Sequence, residues 1–252
     1  MTTENLFLLA VYTFIGSLAG LVGGIAFLYN QRTSKLLCTI AVPFAAGVLL
    51  TVGLTDLLPE AAEEAGEVAF LVTLIAILTA FFIEQFFAHL HHHGENGHTQ
   101  RYTSVPLVLV GDTLHNVVDG IAIGAAFLVE PSFALIVAIS TLLHEAPHEI
   151  ADMGILISSG WSKGKALLAN ALSASSAFVG AFGMVFLAET LEGLVGIFLA
   201  ISAGLFIYLG LGDFLPQLGE ERERALQKFT IMLVGVVVML LVIELTPGHG
   251  HG

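Results

Sequence analysis

Eight apolar blocks, each about the length of a membrane-crossing helix, take up most of this 252-residue chain. A helix needs about 20 residues to cross roughly 30 Å of hydrocarbon. A soluble domain of this length could bury a large core, but it would need a polar surface. Here 56% of the residues are hydrophobic and only 12% are charged. The pattern predicts an all-α membrane protein with eight transmembrane helices, at roughly 6–29, 36–58, 67–90, 105–127, 132–158, 165–188, 193–217 and 225–245. A single polytopic domain over 1–252 is expected, because no linker is long enough to separate two. The first block reads as a span and not a cleaved leader: "MTTEN" before it has no basic residue, and it exceeds a leader's apolar core of about 7–15 residues.

Lys and Arg accumulate in cytoplasmic loops. All eight here fall in alternate connections: Arg32 and Lys35, Arg101, Lys163 and Lys165, then Arg222, Arg224 and Lys228. The remaining connections, "PEAAEEAGE", "LVEPS" and "ETLEG", have none. Both termini are therefore expected outside the cell or in a lumen, with the plasma membrane as the expected residence. The net charge of −13 argues against nucleic acid as a partner. The sole cysteine, Cys38, excludes an intrachain disulfide framework.

"AGVLLTVGLTDLLPE" (46–60) aligns without gaps to "AGLFIYLGLGDFLPQ" (203–217), with seven identities in fifteen. The two copies lie in spans that run in opposite directions, the inverted-repeat build of many secondary transporters. Gly16, Gly20 and Gly24 in span one extend a G-x-x-x-G pattern. It fits either a homodimer seam or close packing within one protomer.

The polar residues inside the membrane say most about function. In span four, Asp112, His115 and Asp119 share one helical face with Asn116 alongside. In span five, His144, His148 and Asp152 form one stripe, and Glu145 and Glu149 a second beside it. Counted from the cytoplasmic ends of the two spans, Asp112 is level with Asp152, His115 with His148, and Asp119 with His144. At about 1.5 Å per residue the middle pair lies roughly 15 Å deep, near the bilayer centre. Each carboxylate there costs about 2.5–3.5 kcal/mol. Asp119, Glu145, Glu149 and Asp152 would together cost on the order of 10–14 kcal/mol facing lipid alone. No basic side chain within these two spans can offset that, so protons or a bound cation must. Imidazole with carboxylate favours a transition metal, zinc foremost, over calcium or magnesium. Pro147 lacks an N–H and crowds the carbonyl of Leu143, which predicts a bend lining a pathway. The blander reading is a buried polar network that only fixes helix register.

These spans resemble the Zrt/Irt-like (ZIP) family of divalent-metal transporters. "HNVVDGIAIG" is similar to its fourth-helix signature and "HEAPHE" to the HExPHE fifth-helix signature of one branch. "FAAGVLLTVGLTDLLPEA" and "SAGLFIYLGLGDFLPQL" are similar to that branch's second and seventh helices. The resemblance implies a two-metal centre, with one ion on His115, Asp119, His144 and His148. A second ion would use Asn116 and Glu145, with His148 shared. By the same resemblance Asp112, Glu149 and Asp152 lie on the exit route. His144 as the first residue of HExPHE tilts the substrate towards Zn2+, with Fe2+, Mn2+ and Cd2+ left open. Asp56 stands where relatives often have His.

Other features carry two readings each. Asp56 and its repeat mate Asp213 are either pathway waypoints or carboxylates snorkelling at helix ends. "HLHHHGENGH", with His91, His92 and His93, either collects metal in the cytosol or is a polar loop. The acidic loop bearing Glu60, Glu63, Glu64 and Glu67 either concentrates cations or is simply solvated. Glu84 and Glu244 have no assigned role. The rival function is an intramembrane protease, since "HEAPH" fits H-E-x-x-H. Pro147 and the level residues of span four speak against it. A metal sensor that does not translocate is the third option.

Overall fold

The computed structural model describes residues 2–29, 31–92, 105–187, 190, 193–214 and 225–246, and among them all regular structure is helical. In chain order the helices are α1 (Thr3–Gly16), α2 (Leu21–Tyr29), α3 (Gln31–Val52), α4 (Leu58–Ala65), α5 (Val68–His92) and α6 (Val105–Val129). Then follow α7 (Pro131–Ser158), α8 (Lys163–Ala174), α9 (Ser176–Phe186), α10 (Val195–Tyr208) and α11 (Ala225–Leu245).

Seven helical stretches are long and apolar enough to cross a membrane: Thr3–Ala26, Thr39–Ala65, Val68–Gln85, Val108–Val129, Lys163–Phe186, Val195–Gly212 and Ala225–Leu245. The 28-residue α7 is long enough as well, but its His and Glu residues dilute its apolar character. Several spans are built from two pieces. α1 and α2 meet at a 3₁₀ turn, Leu18–Gly20. α8 and α9 meet at Ser175, whose hydroxyl bonds the Ala171 carbonyl at 2.6 Å. α7 runs from Pro131 to Ser158 as one helix that contains Pro147.

α3 and α10 each pass into a π-helical turn, at Gly53–Leu57 and Leu209–Phe214. Gly53 and Gly210 are matched positions of the sequence repeat, so both copies deform at the same place. Such turns widen the helix and break its regular bonding, and they are frequent at functional sites.

Packing divides the helices into two groups. α6 packs mainly on α9 and α7, and α7 also holds α1 and α2; α3, of the second group, lies against α7 as extensively as α6 does. α3 packs mainly on α11, and α10 on α5 and α4. Glycines set these close approaches. A methyl at Gly120 would collide with the Ala177 carbonyl, at Gly47 with that of Met232, and at Gly23 with that of Ala146. Gly16, Gly20 and Gly24 lie against Ile123, Glu145 and Met153 of the same chain, so this stripe serves packing within the protomer. The outer faces of α5 and α11 are apolar, with Phe70, Leu74, Leu78, Val237 and Leu241 all exposed. That is the surface a helix presents to lipid.

Candidate metal centre

α6 and α7 lie side by side with their polar stripes facing. Heptad-like spacing on α6 puts His115 and Asp119 one turn apart, and α7 supplies His144 and Glu145 opposite. His144 Nε2 lies 3.2 Å from Asp119 Oδ2, and His115 Nε2 lies 2.9 Å from Glu145 Oε1. Across the group, His115 Nε2 is 3.6 Å from Asp119 Oδ2 and His144 Nε2 is 3.8 Å from Glu145 Oε1. One ligand atom from each of the four residues falls within 4.8 Å of all the others.

The imidazole of His144 is oriented by its own helix. Its Nδ1 donates to the Ser140 carbonyl at 3.1 Å, which leaves Nε2 as the lone pair facing Asp119. This is the usual way a metal-ligating histidine has its tautomer fixed. A neutral Nε2 and an ionised carboxylate both offer electron pairs to the space between them. A positive charge there turns repulsion into attraction. Neither oxygen of Glu145 makes a hydrogen bond, although Oε1 sits beside His115. Two carboxylates and two neutral imidazoles match the charge of one divalent cation, and the N and O donors suit zinc.

The sequence-predicted residues separate by position. His148 stands next to this group, its ring 5.3 Å from that of His115 and 6.2 Å from that of His144. The tightest set therefore includes Glu145, where the resemblance implied His148. Asn116 is buried; its Nδ2 donates to Asp112 Oδ1 at 3.0 Å, and its Oδ1 has no hydrogen-bond partner. Glu149 is buried and Asp152 half-buried one and two turns further along α7. Burial falls along the stripe: Asp119, His144 and Glu145 are closed off, whereas His115 keeps 20% of its side chain exposed. Asp112, His148 and Asp152 are half-buried.

Asp56 is fully buried within the first π-turn. The backbone of Asp213 lies in the second, but its side chain is outside the described residues, as are the side chains of His91 and His92 and the whole of His93. Glu84 accepts from the Tyr208 hydroxyl, which ties α5 to α10. Glu244 is exposed.

Asn170 on α8 is the residue that reading the sequence missed. It is fully buried, and its Nδ2 donates to Glu149 Oε2 at 2.7 Å. One turn on, Ser173 shares a 3.0 Å hydroxyl contact with Thr113 of α6. The signal was the lone amide in "KALLANALSASSAF", spaced to share a face with Ser173.

A family model described as ZIP zinc transporter matches residues 4–106 and 94–243. Zinc transporter ZIP6 of Homo sapiens is 34% identical over 167 residues, covering 58% of this chain and 22% of that protein. Metal cation symporter ZIP14 of Bos taurus is 36% identical over 152 residues, covering 57% and 31%. Zinc transporter ZIP4 of Mus musculus is 38% identical over 118 residues, covering 47% and 18%. The matched stretch is thus about a fifth to a third of the length of these relatives.

Proposed function

Because this chain belongs to the ZIP zinc transporter family, we propose that it carries a divalent metal ion, zinc foremost, from the outside or lumen into the cytosol through the site between α6 and α7. The observation that carries the reading is the convergence of His115, Asp119, His144 and Glu145 with no basic side chain among them. An ion arriving from water exchanges its hydration shell for two imidazoles and two carboxylates, so its charge is balanced before it reaches the apolar centre. A second ion is held by the free Oδ1 of Asn116 together with His148. Asp112, Glu149 and Asp152 then line the way out.

The exposure gradient supports a direction. With both termini outside, the buried Asp119 and His144 form the outer tier and the half-buried Asp112 and Asp152 the inner one. That gradient favours release towards the cytosol, past a Glu149 that is itself buried. The glycine contacts support a way to alternate. Each glycine that sits closer to a neighbouring helix than a methyl would permit does so within its own helix group, among the described residues. Two groups with no such glycine approach between them can rock about a central site.

The protease reading loses ground on geometry as well as on family. Glu145, the general base of an H-E-x-x-H enzyme, sits with its Oε1 beside His115 as part of the ligand set. The test is metal uptake into proteoliposomes across Zn2+, Fe2+, Mn2+ and Cd2+, comparing wild type with Asp119→Asn and His144→Ala. Zinc uptake by the wild type and its loss in both variants is expected; equal uptake in all three would overturn the proposal.

A further inference from the structure

The four converging ligands all come from α6 and α7, yet one large side chain of the other helix group reaches them. Phe206 of α10 is fully buried, and its ring lies 5.5 Å from that of His144 at 72°, an edge-to-face contact. On its other side the start of the Phe206 side chain faces Gly53 of the first π-turn, where even a methyl would stand at ordinary contact distance, 3.5 Å from the Phe206 Cβ. Phe206 therefore lies between the first π-turn of its own group and a ligand of the other.

We propose that Phe206 is a positioning residue of the metal site: delivered by the opposite helix group, its ring holds His144 in its ligand orientation and keeps water from that side. This rests on reading the site as metal-binding. Four groups border the His144 ring: the Ser140 carbonyl on Nδ1, Asp119 at Nε2, the His115 ring at 5.4 Å and the Phe206 ring at 5.5 Å, the last alone coming from the other helix group. The Ser140 bond sets the tautomer, but a ring held at one nitrogen can still tilt. The aromatic contact removes that freedom, and edge-to-face pairs are favourable at this separation. An apolar neighbour also lowers the local dielectric, which strengthens the attraction between ligands and cation. His115 and His148, by contrast, lie 5.3 Å apart ring to ring on the more open side.

The test is equilibrium zinc binding to the purified full chain by calorimetry. Residues that orient metal ligands typically cost about 10–100-fold in affinity when replaced, and Phe206→Leu is expected in that range. Phe206→Tyr keeps the ring and is expected to bind within a few-fold of wild type. Phe133, an equally buried phenylalanine on α7, gives the control: Phe133→Leu removes the same core volume and is expected to leave affinity unchanged. If Phe206→Leu does not survive purification, Phe206→Met, closer in volume, carries the same expectation. Binding by Phe206→Leu within a few-fold of wild type, or an equal loss in Phe133→Leu, would overturn the assignment. Uptake is not part of this readout, so a wild type that binds zinc without transporting it would refute the transport reading alone.

Discussion

Asn170 shows how a single amide can decide whether a buried carboxyl is tolerable at membrane depth. Glu149 is buried with one oxygen bonded to Asn170 and the other without a hydrogen-bond partner. Removing the donor strands a buried acceptor, which costs about 1–3 kcal/mol and more for a charged group. Asn170→Leu is thus expected to lower the melting temperature in detergent clearly, and Asn170→Gln to recover part of the loss. A melt unchanged by Asn170→Leu would mean that the bond contributes nothing. The facing of Asp119 and His144 was readable from helical spacing and equal depth, because both are properties of straight antiparallel helices. Asn170 was not, since nothing in the order of α8 says which neighbour its face meets. Nor could spacing separate Glu145 from His148 as the fourth member of the tightest set. That choice depends on how each side chain turns within a few ångströms.

Among the helices, length and apolarity gave away the spans, while their internal breaks stayed hidden. The 3₁₀ turn at Leu18–Gly20 and the step at Ser175 each adjoin a serine whose hydroxyl bonds the carbonyl four residues back, which the apolar pattern does not reveal. Gly120 faces the α9 backbone at Ala177, whereas a Cβ at Gly183 would meet nothing within 4 Å. The same substitution should therefore have opposite effects at the two sites. Gly120→Ala forces α6 and α9 apart and is expected to destabilise by about 1–3 kcal/mol. Gly183→Ala gains helix propensity, worth up to about 1 kcal/mol. Thermal melts of the two variants check this, and equal shifts of the same sign would contradict the seam between α6 and α9. The G-x-x-x-G stripe of span one left two readings open from sequence. The fold uses it against Ile123, Glu145 and Met153, inside the protomer.

For the molecule as a whole, the account reduces to charge balance inside an apolar body. The helices bury acidic and imidazole side chains against one another, and the two groups of helices meet at that place. The family, the all-helical architecture and the facing of the polar stripes of α6 and α7 were legible in the chain, because a polar stripe in an apolar span is costly and therefore conspicuous. The division into two groups was not, since it depends on which glycine faces which helix. The most direct test is an anomalous difference map, collected at the zinc edge, of crystals grown with zinc. The account predicts a peak about 2.0–2.2 Å from nitrogen of His115 and His144 and from oxygen of Asp119 and Glu145. Those four side chains turned away from one another, with no zinc peak between α6 and α7, would contradict it.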